Sequence, residues 1–543
     1  MAGNAEHHHA AQSPEEQKEI IELAAAEGHD ADIPSNLGAL RDSFEKDLPG
    51  DFSGNDVDVE KAELSSQLTE DGREQASADE NDPNVVFWDG PDDPQNPMNW
   101  SAFIRWGSIS VISCITFVTP LGSAMFAPAV PELMEEFQST DELLAGFVVS
   151  VYVLGFAFGP LVIAPMSEMY GRLPLYHSCN VLFVIFNIAC AVSNSMGLFI
   201  FLRFMAGSVG AAPLALGGGT IADLIAPAQR GTAMAVYVMG PCIGPVVGPV
   251  IGGFTTEAKG WRWNFWVVAI AAAAATIGGF IFLRETYAPT ILTRKAKRLR
   301  NETGNEKLRS KLDTGLGAKD LFLYSIVRPT KMLIFSPIVL SLSVYVAIAY
   351  AYLYMFFTNI TPVFENQYGW PKNLVGLAFI GLGIGQFIGQ GFFIYFGNRT
   401  VKKHLRKGDF RPEHRLPMMV PGAILLPIGL FWYAWSTDAA AHWILPEIGT
   451  VIFGLGLFWT WMPSNTYLVD AFTLHAASAM AANTVLRSVV AAVLPLAGQD
   501  MYATLGLGWG TSLLAFISLL LIPIPFWLMK HGESIRVNHP VKL

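Results

Sequence analysis

Two arginines stand where the surrounding chain offers them no water. Arg203 interrupts the run Phe201-Leu-Arg203-Phe-Met-Ala-Gly207, and Arg487 interrupts Asn483-Thr-Val-Leu-Arg487-Ser488. Charge in hydrocarbon is expensive, so such groups face a cavity, pair with carbonyls, or help move a proton or an ion. The chemistry open to them is electrostatic: a fixed positive charge lowers the pKa of a nearby acid or polarises a water chain. At each position the bland alternative is a structural arginine neutralised by carbonyls. Three more charges lie at the edges of apolar runs: Glu168 and Arg172 in Ser167-Glu-Met-Tyr-Gly-Arg172, and Asp223 closing Thr220-Ile-Ala-Asp223. Carboxylate, guanidinium and carboxylate can bridge two helix ends. An exposed pair of this kind contributes little and breaks easily, which suits a bistable latch.

Residues 240–253 carry a different signal. Gly240, Gly244, Gly248 and Gly252 fall four apart, so a helix gathers them into one stripe without side chains; Gly253 closes the segment. Pro241, Pro245 and Pro249 ride beside them. In water each interior proline would cost a helix about 3 kcal/mol. In a bilayer, helices with Gly and Pro persist because their neighbours re-satisfy the freed backbone groups. A stripe of small residues also lets a second backbone approach closely. The pattern predicts a bent, tightly packed transmembrane helix, a reading that competes with simple helix packing.

The elements that must hold these residues follow from composition. The chain has 543 residues, is 52% hydrophobic and 15% charged, and its mean hydropathy is +0.37. It is too long and too apolar for a single soluble core, so the class is an all-α membrane protein of many spans. The net charge of −11 divides unevenly: residues 1–100 carry −20 and the rest +9. The acidic stretch lacks periodicity and reads as a disordered tail. Its His7-His8-His9 has metal-binding side chains without a fixed geometry. No apolar run opens the chain, so a cleavable signal peptide is not expected and the first span serves as insertion signal. Cys114, Cys179, Cys190 and Cys242 have neither zinc nor disulfide spacing and read as small packed residues.

A helix needs about 20 apolar residues to cross the hydrocarbon. Spans are predicted near 105–127, 143–165, 175–194, 198–222, 232–254 and 263–283, and near 333–357, 374–397, 416–436, 443–467, 479–501 and 509–530. The resulting order is a tail (1–100), a six-helix bundle (101–284), a basic linker (285–331), a second six-helix bundle (332–531) and a short tail (532–543). The interval 284–331 holds 12 Lys/Arg against 5 Asp/Glu, and the loop after span 8 is also basic, with Arg399, Lys402, Lys403, Arg406, Lys407, Arg411 and Arg415. Loops on the other side are poor in Lys and Arg. Positive-inside bias therefore places the basic loops and both termini in the cytoplasm. The halves echo each other: Thr220–Asp223 with Ala233-Met234 downstream, then Thr466–Asp470 with Ala479-Met480. A parallel repeat puts a substrate site at the interface near midplane.

At that depth Tyr350, Tyr354 and Phe357 share a helix face, with Tyr345 and Tyr352 adding aromatic surface; Gln386 and Gln390 share another face, and Trp459 and Trp461 lie in span 10. An aromatic cavity with a few uncharged hydrogen-bonding groups suits bulky, weakly polar ligands, although aromatic stripes also serve packing. No Walker motif is present, which argues against ATP drive, and the chain does not read as an enzyme. No nucleic-acid motif stands out. Asn359-Ile-Thr361 is a glycosylation sequon close to the membrane; Asn99, Asn301 and Asn398 head sequons on the cytoplasmic side.

These residues resemble the major facilitator superfamily, in its branch of fungal twelve-helix drug:proton antiporters of the cycloheximide- and multidrug-resistance type. Residues 164–172 look like the loop signature between helices two and three, 203–210 like the fourth-helix signature, and 240–253 like the antiporter signature of helix five. Asp92-Asp-Pro-Gln-Asn-Pro-Met-Asn-Trp100 and Pro463-Ser-Asn-Thr-Tyr-Leu-Val-Asp470 resemble that branch before its first helix and in its tenth. The resemblance covers about 92–530. Ala164 replaces the usual Gly, Glu168 the usual Asp, and Met169 a common basic residue. The loop 397–415 keeps basic residues without the motif and gives no ground for a second latch. The resemblance implies the major facilitator fold. It also implies proton-coupled efflux of small hydrophobic drugs or a fungal toxin, as a monomer driven by the proton gradient without a cofactor, from the plasma or vacuolar membrane. Glu168, Arg172 and Asp223 would then latch the cytoplasmic side, Arg203 would face the cavity and couple protons, and residues 240–253 would limit leak. A polyamine or organic-cation antiporter is the alternative, disfavoured by the scarcity of cavity carboxylates; no buried carboxylate stands out in span 1 or 7. A membrane receptor using the tail for signalling is a third reading.

Overall fold

The computed structural model describes residues 84–225, 227–312, 318–397, 399, 404, 411–472 and 476–538. The histidine triplet, most of the acidic tail and several of the basic residues after span 8 lie outside them. Among the described residues twelve helices are long and apolar enough to cross a membrane. They are span 1 Ala102–Glu136, span 2 Leu143–Tyr170, span 3 Arg172–Ala191, span 4 Met196–Leu224, span 5 Val236–Lys259 and span 6 Arg262–Phe282. The second set is span 7 Pro337–Asn366, span 8 Asn373–Gly397, span 9 Pro412–Asp438, span 10 Ile444–Ala471, span 11 Ser478–Gly498 and span 12 Asp500–Arg536. The six-plus-six pattern predicted from hydropathy is the one observed. Gly506, at φ 73°, breaks the long helix Ala476–Leu521.

Many large apolar side chains stay exposed, among them Ile270, Ile277, Phe280 and Ile281 on span 6 and Leu520 on span 12. Water would not tolerate such a surface over so many helices, whereas lipid tails match it. The interior is built from small residues and aromatics. Spans 2 and 4 approach so closely that a Cβ at Gly207 would fall 2.0 Å from the Tyr152 carbonyl oxygen, and one at Gly159 would fall 2.1 Å from that of Ser208.

The end where the chain enters span 1 and leaves span 12 is the near end, and the opposite one the far end. At the far end the halves touch: a Cβ on Gly376 of span 8 would lie 2.2 Å from the Pro249 carbonyl oxygen of span 5. Gly146 of span 2 faces the Pro495 carbonyl of span 11 at 3.5 Å by the same measure. At the near end the linker helix Ala318–Phe335 packs on span 2 and on the helix Ala476–Leu521.

Three boundaries differ from the sequence reading. Residues 84–100, grouped there with the tail, are folded: β1 (Val85–Val86) pairs in parallel with β2 (Arg309–Ser310) of the linker. The reason is a local polar dock, with Lys295 Nζ bonded to Asp89 Oδ1 (2.7 Å), Asp93 Oδ2 (3.2 Å) and the Phe87 carbonyl (3.0 Å). The linker is itself structured, through the helices Ala288–Thr303 and Ala318–Phe335. The last helix runs on to Asn538, beyond the expected end at 531.

Candidate functional site: a central cavity and two near-end ion clusters

Both halves wall one cavity. Span 1 contributes Pro120 and Ala124, span 2 Phe156, span 4 Leu214, and span 5 Pro241, Cys242 and Pro245. Across from them stand Tyr350, Tyr354 and Phe357 of span 7, Gln386 of span 8, Phe458, Thr460 and Trp461 of span 10, and Arg487 of span 11. The aromatic face read at i, i+4 and i+7 thus meets the cavity, with Tyr354 and Phe357 edge to face at 5.3 Å. Two expected residues do not line it. Trp459 donates its indole N–H to the Gly389 carbonyl (2.9 Å) and packs on Phe392, tying span 10 to span 8. Gln390 lies a full turn beyond Gln386, and that turn carries it past the cavity.

Arg203, expected to face the cavity, turns its head into spans 1 and 2 and is 1% exposed. Its Nη1 donates to the Gly122 carbonyl (2.9 Å), Nη2 to that of Ser123 (3.4 Å) and Nε to that of Val148 (3.3 Å). The first helix of span 1 ends at Ala124, so Gly122 and Ser123 lie in its last turn. Carbonyls there lack intrahelical donors, and the helix dipole favours a cation. The rings of Tyr152, Phe126 and Phe265 surround the guanidinium at 4.8, 5.3 and 5.6 Å. One chain of contacts still joins it to the cavity, because the Ser123 hydroxyl meets the Tyr354 hydroxyl at 2.9 Å.

The glycine stripe of span 5 lies against span 1. A Cβ at Gly240 would come within 2.9 Å of the Ser113 carbonyl oxygen, at Gly244 within 2.9 Å of the Phe117 oxygen, and at Gly248 within 3.0 Å of the Met125 nitrogen. At Gly252 it would lie 1.9 Å from the Met125 oxygen. The helix Pro227–Lys259 passes through Pro241, Pro245 and Pro249 without a break. Two of these prolines line the cavity, so one face of the helix is packing surface and another is wall. Gly253 is buried.

At the near end Arg172 pairs with Asp223 (Nε to Oδ2, 2.6 Å), which also accepts from the Thr286 hydroxyl (3.2 Å). Glu168 is exposed. A residue that sequence reading passed over completes the knot: Glu285, after span 6, accepts from the backbone N–H groups of Arg172 (3.0 Å), Leu173 (3.3 Å) and Tyr287 (3.0 Å). Tyr287 stacks under the Arg172 guanidinium at 5.2 Å, and burial pushes its phenol up. The second half repeats the arrangement where no latch was read. Arg415 pairs with Asp470 (2.8 Å), and Glu413 accepts from Arg536 (3.3 Å) and the Tyr467 hydroxyl (3.3 Å). The pairing depends on a span-start arginine and a span-end aspartate, and the loop motif is not needed for it.

Glu447, inside the predicted bounds of span 10, was also passed over. Its Oε2 accepts from the Gly381 N–H (3.1 Å), while its buried Oε1 has no hydrogen-bond partner, and no cation bonds to it among the described residues. The sequon residue Asn359 is buried, its amide donating to the Met355 carbonyl (2.8 Å).

The chain is similar to solved transporters in fold. The inward-open xylose transporter XylE from E. coli superposes with a TM-score of 0.60 at 16% identity, over 79% of this chain and 99% of that one. A bacterial homologue of the lysosomal transporter Spinster, inward-facing and unoccupied, gives 0.57 at 12%, over 81% and 99%. In sequence it is 53% identical to the MFS-type transporter penM of Penicillium rubens over 489 residues, 89% of this chain and 94% of that one. It is 52% identical to the MFS-type transporter tndD of Aspergillus flavipes (84% and 86%) and 50% identical to the efflux pump radE of Floropilus chiversii (85% and 86%). The family model described as Major Facilitator Superfamily matches residues 112–495. With twelve spans in two sixes around a shared cavity, and with relatives of this kind along most of its length, the chain belongs to the major facilitator superfamily of transmembrane transporters.

Proposed function

We propose that this transporter is a proton-coupled exporter of small apolar compounds, either antifungal drugs or a toxic metabolite of the producing fungus. The observation that carries the reading is the cavity shared between the halves: aromatic, with Gln386 as an uncharged polar group and without a carboxylate among its described lining residues. Efflux is the activity named for radE, to which the chain is 50% identical over 465 residues. The lack of a wall carboxylate disfavours the polyamine or organic-cation alternative, which needs negative charge to replace water around an ammonium.

Alternating access follows from the two ends. The far-end contacts at Gly376 and Gly146 hold one mouth shut, and the near-end pairs Arg172–Asp223 and Arg415–Asp470 tie helix ends within each half. Basic near-end loops argue for a cytoplasmic near end with both termini inside, so the mouth that the far-end contacts close faces the opposite side of the membrane. The protein acts as a monomer in lipid, in the plasma membrane or alternatively the vacuolar membrane, with protons and substrate as its partners and no cofactor. Arg203 supplies the fixed charge for coupling through Ser123 and Tyr354, and Glu447 is the carboxylate that takes the proton.

The test is dye efflux from a yeast strain lacking its own exporters. Cells carrying the chain are expected to retain severalfold less apolar dye than vector controls, and a protonophore is expected to abolish the difference. Equal retention in both strains would remove export. Export indifferent to the protonophore would remove proton coupling, and competition by spermidine would favour the polyamine reading.

A further inference from the structure

Arg487 is the one charged side chain among the described residues that line the cavity. Its setting differs from that of Arg203. Arg203 has three carbonyls, whereas the buried Nε of Arg487 has no acceptor, and among the described residues no carboxylate bonds to its guanidinium. The group instead lies over two rings, 4.6 Å from the centre of Tyr350 and 5.9 Å from that of Trp461. The indole N–H of Trp461 is also buried without an acceptor. Both residues line the aromatic cavity, each with a buried N–H that no protein group accepts, and one of them is cationic. A buried donor without a partner is costly, and a half-buried guanidinium without a carboxylate leaves its charge uncompensated. What satisfies both is an oxygen acceptor carrying negative charge, since charge-assisted N–H···O⁻ bonds are the strong ones.

We propose that the cavity takes apolar organic acids in their anionic form, a carboxylate, phenolate or enolate on a ring-bearing body. The oxygen accepts from Arg487 and Trp461, and the body lies against Tyr350, Tyr354 and Phe357. The assignment rests on the reading of this cavity as the transport site and is independent of the direction of transport. It turns the cavity from a general apolar pocket into one selective by charge. A site built to bond an acceptor rejects the analogue that lacks it far more strongly than a purely apolar pocket can.

The experiment uses the full chain in lipid nanodiscs and a ligand pair of nearly equal shape, 2-naphthoate and 2-naphthamide, titrated calorimetrically at pH 7.4. The naphthoate is expected to bind at least tenfold more tightly than the amide. Arg487→Gln is expected to bring the two within twofold of each other, and Trp461→Phe to narrow the gap by about threefold. Equal binding of the pair by the unaltered protein overturns the proposal, as does absence of binding by both, or a preference that survives Arg487→Gln. The comparison on the unaltered protein needs no variant, so a variant that fails to fold leaves the test intact. Efflux from yeast of the anionic dye fluorescein and the cationic dye rhodamine 123 is read separately. Rhodamine expelled with fluorescein retained overturns the anion site and leaves export standing. A naphthoate preference with both dyes retained supports the anion site and removes export.

Discussion

Arg203 and Arg487 look alike along the chain, each a lone guanidinium in an apolar run, yet they fold into opposite situations. The sequence could mark both as expensive; it could not show that the first helix of span 1 ends at Ala124 and leaves two carbonyls for Arg203, because the apolar run continues unbroken through the Ala127–Ala129 turn. Arg203→Ala leaves the Gly122 and Ser123 carbonyls without their donor, each at a cost of about 1–3 kcal/mol, while the Val148 carbonyl keeps its place in the span 2 helix. Proton-linked efflux is expected to fall more than tenfold while the protein still reaches the membrane; normal efflux in whole cells would remove the coupling role. Glu447 was legible as an acid within a predicted span, but nothing in the spacing shows that its Oε1 is buried without a partner. Glu447→Gln keeps the bond from Gly381 and removes the titratable proton. It is expected to abolish protonophore-sensitive efflux while leaving ligand binding within twofold, as measured by dye retention and calorimetry.

At the level of elements, hydropathy found the twelve spans to within a few residues at most ends, because a bilayer demands long uninterrupted apolar runs. The four-residue glycine period was equally readable, but the partner it packs against was not, since nothing in a sequence says which helix lies opposite. With span 1 in that place, the stripe is graded. Gly252 has the least room, 1.9 Å to the Met125 oxygen for an added Cβ, and Gly240 has 2.9 Å to that of Ser113. Overpacking costs typically about 1–3 kcal/mol. Gly252→Ala is therefore expected to lower the thermal midpoint of the detergent-solubilised protein by several degrees and Gly240→Ala by less. Equal shifts would show that the helices slide apart freely. Cavity aromatics were half legible: a helical period gathers Tyr350, Tyr354 and Phe357 on one face, while a single turn separates Gln386, which lines the cavity, from Gln390, which does not.

On the scale of the molecule, the near-end pairs recur in both halves although the loop motif appears in only one. The motif reading therefore missed the second ion pair, Arg415–Asp470, and the recurrence of Asp223 and Asp470 after matching threonines was the better signal. Asp223→Asn removes the charge that holds Arg172 and is expected to reduce turnover severalfold. The double change Asp223→Asn with Asp470→Asn should cost more than either alone, and unchanged transport rates would count against the latches. The docked segment 84–100 titrates. Burial alone would raise the Asp93 carboxyl, but N–H groups of Asp89 and Gln95 and the Lys295 ammonium outweigh it and hold the acid below the usual carboxylate range. With the folded pKa depressed, the dock is stable at neutral pH and weakens as pH falls through that lowered value. Asp93→Asn is expected to expose the segment to limited proteolysis at pH 7, where the unaltered chain resists cleavage until strong acid.

The short parallel pair of β1 and β2 splices the segment ahead of span 1 onto the stretch that joins the two bundles, with Lys295 as its rivet. Mechanically, the leader is thus moored to the connector ahead of the first crossing. Whatever tugs on that leader pulls first at the connector between the bundles.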